Sequence, residues 1–259
     1  MDGAKTIDDL SRGEIEELCV DFVHRLHVHD AMWQRQVEKR LGRENMCGIL
    51  SEVRPRSHEI QIGRLARIVG EEEARRSKHE SGILEWRNLL PSRLEDLSDA
   101  KVRELLEGIA ANWLAQDGVW FQGVEFSQGM AAAKECNDAC WAEFSPFEAW
   151  MVRKLIGLGP RPGLEGLRAA LGMRLYAAVN RQSFHDEGEN AFVFRMDDCR
   201  VQAARKRKGL DDYPCKSGGT VEYTTFAGAI DDRIRTECVS CPPDDHPDEW
   251  FCAWRFSIG

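Results

Sequence analysis

The chain has 259 residues, 42% of them apolar, and it contains eight tryptophans. This composition can fill a sizeable core in one large domain or two ordinary ones. A net charge of -9 argues against general binding to nucleic acids or acidic membranes, because phosphate groups are bound by surplus Lys and Arg. The N-terminus MDGAKTIDDL is unlike a signal peptide, and no stretch has the apolar length of a membrane span, so we expect a cytoplasmic protein without membrane contact.

An internal repeat organises the N-terminal part of the chain. When the sequence is shifted by 87 residues, Asp9-Leu10-Ser11 falls on Asp96-Leu97-Ser98, and Trp33 falls on Trp120 in the same register. The apolar positions between these points also correspond. We therefore predict two copies of one unit, each a long αα-hairpin, which together form a four-helix core.

Local signals predict where the helices of each copy begin and end. Ser11 followed by Glu14 is typical of a capping box at the start of the first helix. Glycines are favoured helix stops, and we expect them to end helices at Gly42 and about Gly70 in the first copy and at Gly129 and about Gly157 in the second. The charged EEEARRSKHE run within 71–95 is interpreted as a solvated connector or helix face.

Both copies carry the pattern D-x-x-W-x-x-x-V-E, which places carboxylates beside an apolar helix stripe. They could converge as metal ligands or as a general acid and base, but hydrogen bonds between neighbouring helices are the favoured interpretation. The residues concerned are Asp30, Glu38, Asp117 and Glu125. The nearby His24, His27 and His29 have no histidine counterparts in the second copy, so we expect them to be exposed or hydrogen-bonded singly.

The repeat register also sorts the cysteines of the hairpins. Cys136 and Cys140 fall on apolar residues of the first copy, and Cys19 falls on a leucine of the second. Free cysteine behaves as a small apolar residue, so these three are interpreted as core positions. Cys47 falls on a lysine, and its role is left open.

After the G-P-R-P-G run at 159–163 the sequence pattern changes, and a different domain is expected. A helix of about 164–181 should lead to the strand AFVFRM, which ends near Cys199. One helix is then expected to stop at Gly209 and another to run from Pro214-Cys215 to near Ile230. The segments RIRTECVSC and EWFCAWRFSI are typical of strands.

These patterns predict an α+β fold, a mainly α-helical tandem αα-hairpin repeat followed by a small cysteine-rich α/β domain. The predicted domains are a first hairpin with its connector at 1–95, a second hairpin at 96–160, and a cysteine-rich metal-binding domain at 161–259.

Cysteines are dense in the C-terminal part of the chain, namely Cys199, Cys215, Cys238, Cys241 and Cys252. The C-x-x-C pair at 238–241 would let two thiolates of a tight turn bind one metal, with Pro242 following as in many cluster-binding turns. Cys215 and Cys252 would complete four sulfur ligands, a set that selects zinc or an iron–sulfur cluster over hard ions. Buried or redox-active thiols without metal are the alternative interpretation.

A four-sulfur site leaves one of the five cysteines for another role. Cys199 is the candidate, because it opens a predicted helix whose dipole would lower the thiol pKa. It is therefore expected to act as an exchangeable ligand or as a catalytic nucleophile. Arg200 and Arg205 follow on the same helix, where they could bind a carboxylate or phosphate of a small ligand or form a solvated basic face.

Several C-terminal motifs resemble an uncharacterised family of bacterial cytosolic proteins that is common in anaerobes. The motifs are DCRVQ at 198–202, PCKSGG at 214–219, ECVSCPP at 237–243, WFCAWRF at 250–256 and DGVWF at 117–121 followed by VE at 124–125. The resemblance covers roughly 96–259. More distantly, the C-terminal part is similar to 4-vinyl-reductase-type sensor domains and to aminothiazoline-carboxylate hydrolase-like proteins, which implies binding or hydrolysis of a small sulfur-containing molecule near the thiolates.

Three functional hypotheses follow from these observations. The first is a metalloprotein of anaerobic-type metabolism with a cysteine-ligated cluster, more readily a [4Fe–4S] iron–sulfur cluster than zinc because of the anaerobe resemblance, beside a small-molecule pocket. The second is a non-catalytic ligand sensor with a structural zinc. The third is a hydrolase that uses Cys199. The expected partner is a small-molecule ligand, and a homodimer is left open.

Overall fold

The computed structural model describes residues 6–69, 97–207, 209 and 212–259. The expected connector at 71–95 and the expected helix end at Gly70 lie outside these residues. The described part of the chain has the α+β fold that the sequence predicts, with long helices followed by a four-stranded antiparallel sheet. No helix in this part combines the length and the apolar character needed to cross a membrane.

The repeat is visible in the bounds of the first four helices. These are α1 (Arg12–Leu41), α2 (Arg43–Val69), α3 (Asp99–Gln128) and α4 (Met130–Leu155). The starts of α1 and α3, and those of α2 and α4, are separated by 87 residues, as in the sequence repeat. The predicted long helices and their spacing of 87 residues are therefore confirmed, whereas the four-helix core and the predicted domain bounds stay predictions.

The helix ends follow from local chemistry. The Ser11 side chain accepts a hydrogen bond from the Glu14 backbone N–H, and the Glu14 carboxylate accepts one from the Ser11 backbone N–H, which confirms the capping box. Ser98 caps α3 in the equivalent way without the reciprocal bond. Gly42 and Gly129 have φ angles of 82° and 88°, a left-handed conformation that glycine adopts without steric cost.

Residues 9–69 and 97–137 form one compact unit, called here the helical unit. Within it α1 packs against α2 and α3, and α2 packs against α3. Its core includes the buried side chains of Phe22, Trp33, Val53, Leu105 and Trp120. Cys19 and Cys136 are also buried there, as the register predicts, whereas Cys47 is exposed.

The described residues of 138–259, with residues 6–8, form a second compact unit, called here the thiol unit. Cys140 is buried in it. Its elements after α4 are α5 (Gly163–Leu171), a 3-10 turn (Leu175–Ala178), β1 (Arg181–Asp186), β2 (Ala191–Asp198), α6 (Arg200–Arg207), α7 (Lys216–Ile230), β3 (Ile234–Ser240) and β4 (Cys252–Ile258).

One expected element differs from the structure. The helix predicted over about 164–181 ends at Leu171, and the residues after it form the 3-10 turn and strand β1. Arg174 is drawn into the interior by an ion pair with Glu148, which fixes the backbone in a non-helical course. The strand RQSFHD lies at the sheet edge and lacks the alternating apolar pattern that would have predicted it.

The strands of the sheet follow the order β1-β2-β4-β3. Met196, Phe194 and Phe192 of β2 lie opposite Cys252, Trp254 and Phe256 of β4, and these six residues share one face of the sheet. Helix α7 covers this face, since the Tyr223 ring lies 4.9 Å from Trp254 and 5.6 Å from Phe194. The close approach requires Gly219, where a Cβ atom would lie 2.7 Å from the Trp254 ring.

Candidate metal centre at the C-terminal thiols

The sheet brings Cys199 and Cys252 to the same end of the thiol unit. Cys252 is the first residue of β4 and pairs with Met196, close to the last residue of β2. Cys199 follows directly after β2. The antiparallel pairing of β2 with β4 therefore places two cysteines that are distant in sequence beside the same sheet end.

Strand β3 adds two further thiols at this end. Cys238 lies opposite Trp254 and thus shares the sheet face of Cys252. A register shift between Cys238 and Ser240 places Ser240 opposite Ala253, next to Cys252. We expected both cysteines of the C-x-x-C pair to lie in a tight turn. This is wrong for Cys238, which lies inside β3, and only Cys241 follows the strand.

Cys241 is the thiol around which the others gather. It is buried, and it donates a hydrogen bond to the Cys252 sulfur, which raises the Cys241 pKa far above its ordinary value. Burial and the charges of Cys252, Cys215 and Cys238 raise this pKa further. The other three cysteines expected to form the sulfur site are therefore close enough to Cys241 to raise its pKa.

Cys199 lies near Cys252 but is not among the thiols that raise the Cys241 pKa. Its carbonyl accepts the first hydrogen bond of α6, from Ala203 N at 2.8 Å, so the expected helix start is confirmed. Its sulfur accepts hydrogen bonds from the backbone N–H groups of Gln202 and Val201. Burial nevertheless raises the pKa of Cys199 to about 11, with a smaller contribution from the charge of Cys252. The expected lowering of this pKa is wrong, because loss of hydration outweighs the helix N-terminus.

The donor set suits a soft metal, but the thiols do not form a closed single-ion site. Among the described residues, no three His, Cys, Asp or Glu side chains converge closely enough to hold one metal ion. Four thiolates around zinc would need sulfur atoms about 3.8 Å apart, given Zn–S bonds of about 2.3 Å. The described residues therefore show a group of neighbouring thiols and no closed single-ion site.

The segment Asp212–Lys216, which carries Cys215, is fixed by the buried Gln202 side chain. Gln202 Nε2 donates to the Tyr213 carbonyl at 2.9 Å and to Cys215 Sγ at 3.2 Å, and its Oε1 accepts from Tyr213 N at 2.8 Å. Gln202 thereby ties α6 to this segment and gives the Cys215 sulfur a hydrogen-bond donor. Such a donor stabilises a thiolate and orients it toward a metal.

A second tie joins the same segment to the turn after β3. Lys216 Nζ contacts both carboxylate oxygens of Asp244 at 2.7 and 3.0 Å, and Lys216 N donates to the Pro242 carbonyl at 2.9 Å. The Cys241 backbone N–H donates to Asp244 at 3.4 Å. The Lys216 ammonium lowers the pKa of Cys238, although burial raises that pKa overall.

Sequence reasoning did not single out Gln202, Lys216 and Asp244. Two signals were present, since Gln202 ends the DCRVQ motif and Lys216 directly follows Cys215. Of the basic residues that were singled out, Arg200 is exposed and uses its backbone N–H to bind Asn180 Oδ1 at 3.0 Å. A ligand-binding role for Arg200 and Arg205 stays a prediction.

The repeated carboxylates of the helical unit form reciprocal bonds between helices α1 and α3. Trp33 Nε1 donates to Asp117 Oδ1 at 2.9 Å, and Trp120 Nε1 donates to Asp30 Oδ1 at 2.7 Å. The two indole rings stack with centroids 6.2 Å apart. The favoured interpretation as hydrogen bonds between neighbouring helices is confirmed for both aspartates, and Glu38 of α1 likewise bonds to Arg43 of α2 at 2.8 Å.

Of the two alternatives expected for His29, an exposed side chain or a singly hydrogen-bonded one, the exposed side chain is wrong. His29 is buried, with Nε2 3.7 Å from Asp117 Oδ1. Burial lowers the pKa of His29 to about 3 and raises the pKa of Asp117 to about 6. At neutral pH the histidine is therefore neutral and the aspartate charged.

A cleft of about 310 Å³ lies between α2 and α3 in the helical unit. Its lining includes Ile49, Val53, Val119 and the exposed ring of Phe126, with Arg56 among its polar residues. The small-molecule pocket expected beside the thiols stays a prediction.

Comparison with protein families matches residues 95–258 to a family of unknown function, DUF6125. The matched range contains the second helical hairpin and the thiol-bearing elements and excludes the first hairpin. No curated protein and no solved structure matches the chain.

Proposed function

The chain belongs to the family of unknown function DUF6125, and we propose that it is a metalloprotein whose cysteines bind an iron–sulfur cluster. The observation that carries the proposal is the gathering of Cys252, Cys215 and Cys238 around the buried Cys241. Neutral thiols gain little from such proximity, whereas thiolates shared by a metal are strongly stabilised.

The four ligands in this proposal are Cys215, Cys238, Cys241 and Cys252. The hydrogen bond from Gln202 to Cys215 and the ammonium of Lys216 near Cys238 would offset part of the negative charge of the thiolates. Cys199 would be an exchangeable fifth thiol beside Cys252. Its raised pKa disfavours the hypothesis of a hydrolase with Cys199 as a free thiolate nucleophile.

The choice of a cluster over zinc rests on the resemblance to proteins of anaerobes. Both zinc and iron–sulfur clusters accept four thiolate ligands. A single zinc ion needs its sulfur ligands about 3.8 Å apart, whereas a multi-iron cluster binds each cysteine through a different iron. Metal analysis of the purified protein distinguishes the two.

When bound, a cluster of this kind would supply electron transfer or a Lewis-acidic iron for a small substrate. The chain's own contribution would be to hold the thiolates, donate hydrogen bonds to sulfur and keep Cys199 close by. A cytoplasmic role in anaerobic-type metabolism, with a small-molecule ligand beside the thiols, completes the proposal.

The test is metal and sulfide analysis of the full chain purified without oxygen. We expect about four irons and four sulfides per chain, with visible charge-transfer absorbance. Cys241→Ser should lose most of the iron, whereas Cys47→Ser, which alters an exposed thiol of the helical unit, should retain it. Cys199→Ala should also retain the iron.

Two outcomes would count against the proposal. Stoichiometric zinc without iron would overturn the iron–sulfur version and favour a structural site. Protein that contains neither metal, with all nine cysteines titrating as free thiols, would overturn the metal centre itself.

A further inference from the structure

His246 lies in the loop between Cys241 and Cys252, and both of its ring nitrogens face hydrogen-bond acceptors. Nδ1 is 2.8 Å from the Pro247 carbonyl, and Nε2 is 2.8 Å from Asp212 Oδ2. A neutral imidazole carries a proton on only one nitrogen and would leave one of these contacts without a donor. The geometry therefore fits a doubly protonated imidazolium, whose side chain is only 9% exposed.

The groups around the ring favour this charged form on balance. Burial and the ammonium of Lys206 on α6 lower the pKa of His246, but the Pro247 carbonyl and the Asp212 carboxylate outweigh them and raise it. The neutral ring of Phe251 packs at 5.4 Å, and Lys206 Nζ lies 4.8 Å from the centroid of that ring. The other acidic residues of the loop are Asp244, Asp245, Asp248 and Glu249, and Asp244 is paired with Lys216.

The ion pair between His246 and Asp212 joins two segments that carry proposed ligands. Asp212 lies three residues before Cys215, and the loop 242–251 connects Cys241 to Cys252. The Lys216–Asp244 pair joins the same two segments, but neither of its charges is expected to change near neutral pH. Of the four residues in these two pairs, His246 has the side chain whose ordinary pKa lies near neutral pH.

We propose that the His246–Asp212 ion pair is a pH-sensitive clasp that holds the loop 242–251 over the thiol centre and slows release of its metal. The proposal rests on the proposed function, because it regulates the same centre. Loss of the imidazolium proton removes the charge attraction and one hydrogen bond, so the loop opens and the bound metal becomes accessible to a competing chelator.

The direction of the pH effect is distinctive. A histidine whose pKa is raised by folding stabilises its contact fully below its unfolded pKa and loses that stabilisation as the pH rises through the folded value. The clasp therefore opens with rising pH. Simple competition between protons and metal for thiolates acts in the opposite direction, since metal release then slows as the pH rises.

The experiment uses the full chain as isolated and measures two quantities between about pH 6 and pH 8.5, the range in which histidine titrates. The first is amide hydrogen exchange of residues 242–251, corrected for the intrinsic pH dependence of exchange. The second is the rate of metal transfer to a chelator. We expect protection of the loop to fall about tenfold with rising pH, in line with the strength of a charge-assisted hydrogen bond.

Two variants and a control make the test specific. His246→Gln and Asp212→Asn each remove one charge of the clasp, so both should show low, pH-independent protection and rapid metal release. His185→Gln, at an exposed position of β1, should behave like the unaltered protein. Equal pH profiles for the unaltered protein and His246→Gln would overturn the clasp.

The two proposals fail in distinguishable ways. If the protein binds no metal, the proposed function is wrong, and exchange of the loop still tests the clasp alone. If cysteine-dependent metal is present but neither quantity changes with His246→Gln, the metal centre stands and the clasp is wrong.

Discussion

Polar side chains inside the helical unit and the thiol unit are used differently. In the helical unit, Trp33 and Trp120 bond to Asp117 and Asp30, so each tie has a counterpart 87 residues away. In the thiol unit, three chemically distinct bonds each involve a residue of the segment 212–216. They are made by the side chains of Gln202, Lys216 and His246. The repeated ties align two similar helices, whereas the converging ties position a single group of thiols.

A substitution in a repeated tie should therefore affect mainly stability, and one in a converging tie should affect mainly the position of the thiols. A tie between two long apolar helix faces adds to packing that already holds the helices together. A tie that fixes a short segment without regular structure controls the position of that segment almost alone.

The largest effect on stability is expected outside these ties, at Arg174 of the thiol unit. Its buried guanidinium contacts Glu148 Oε2 at 2.8 Å and Glu222 Oε1 at 2.7 Å. Arg174→Met would remove the positive charge that neutralises these two buried carboxylates and should lower the free energy of unfolding by about 3–5 kcal/mol in urea denaturation. Arg161→Met, which breaks an exposed pair with Asp232, should cost less than about 1 kcal/mol.

If Arg174→Met lowered the free energy of unfolding as little as Arg161→Met does, the buried carboxylates would be shown to take up protons or water readily. The thiol unit would then be less rigid than its network of ties implies.

An intermediate effect is expected from the ionisation of Asp117 in the helical unit. Burial raises the pKa of this carboxyl to about 6, above its unfolded value, so the folded state gains stability as the pH falls from about 6 to about 4. Asp117→Asn should lack this gain, and the stability difference between the two proteins should change by about 2–3 kcal/mol over that range. Thermal or urea unfolding at several pH values measures it.

A second variant checks the cause of this pH effect. The hydrogen bond from Trp33 lowers the Asp117 pKa, so Trp33→Phe should enlarge the pH-dependent change. His29 is present in all three proteins, and its contribution largely cancels in the comparison. Parallel pH profiles for the unaltered protein and Asp117→Asn would contradict the buried charge.

The smallest effects concern two glycines of helix α7. A Cβ atom at Gly219 would lie 2.7 Å from the Trp254 ring, so Gly219→Ala should destabilise the protein by about 1–3 kcal/mol. Gly228 is exposed and has no atom within 4 Å of such a Cβ, so Gly228→Ala should stabilise it by about 0.5–1 kcal/mol. Urea denaturation of both variants makes the comparison, and the same sign for both would show that α7 can shift away from the sheet.

The sequence predicted the helical repeat well because its signals are local. The serine caps, the glycine stops and the apolar register each act within a few residues, and the bounds of α1 and α3 agree with them. The same register correctly predicted burial of Cys136 and Cys140. The favoured role of Asp30 and Asp117 also followed from their position beside an apolar stripe.

The thiol unit was predicted less completely because its geometry depends on contacts between distant residues. Cysteine density indicated a group of thiols, but the register shift after Cys238 and the approach of Gly219 to Trp254 depend on strand pairing and helix packing. The raised pKa of Cys199 also depends on burial by other elements, which the helix-start pattern does not contain. The polar strand β1 had no apolar alternation to indicate it.

The reciprocal bonds between the tryptophans and aspartates have a consequence for assembly. Neither copy of the repeat supplies the acceptor for its own indole N–H, because each aspartate serves the tryptophan of the other copy. Two separate chains would have to meet in solution to complete the exchange. Linking both copies covalently replaces that encounter by an intramolecular one, so the pairing does not weaken on dilution.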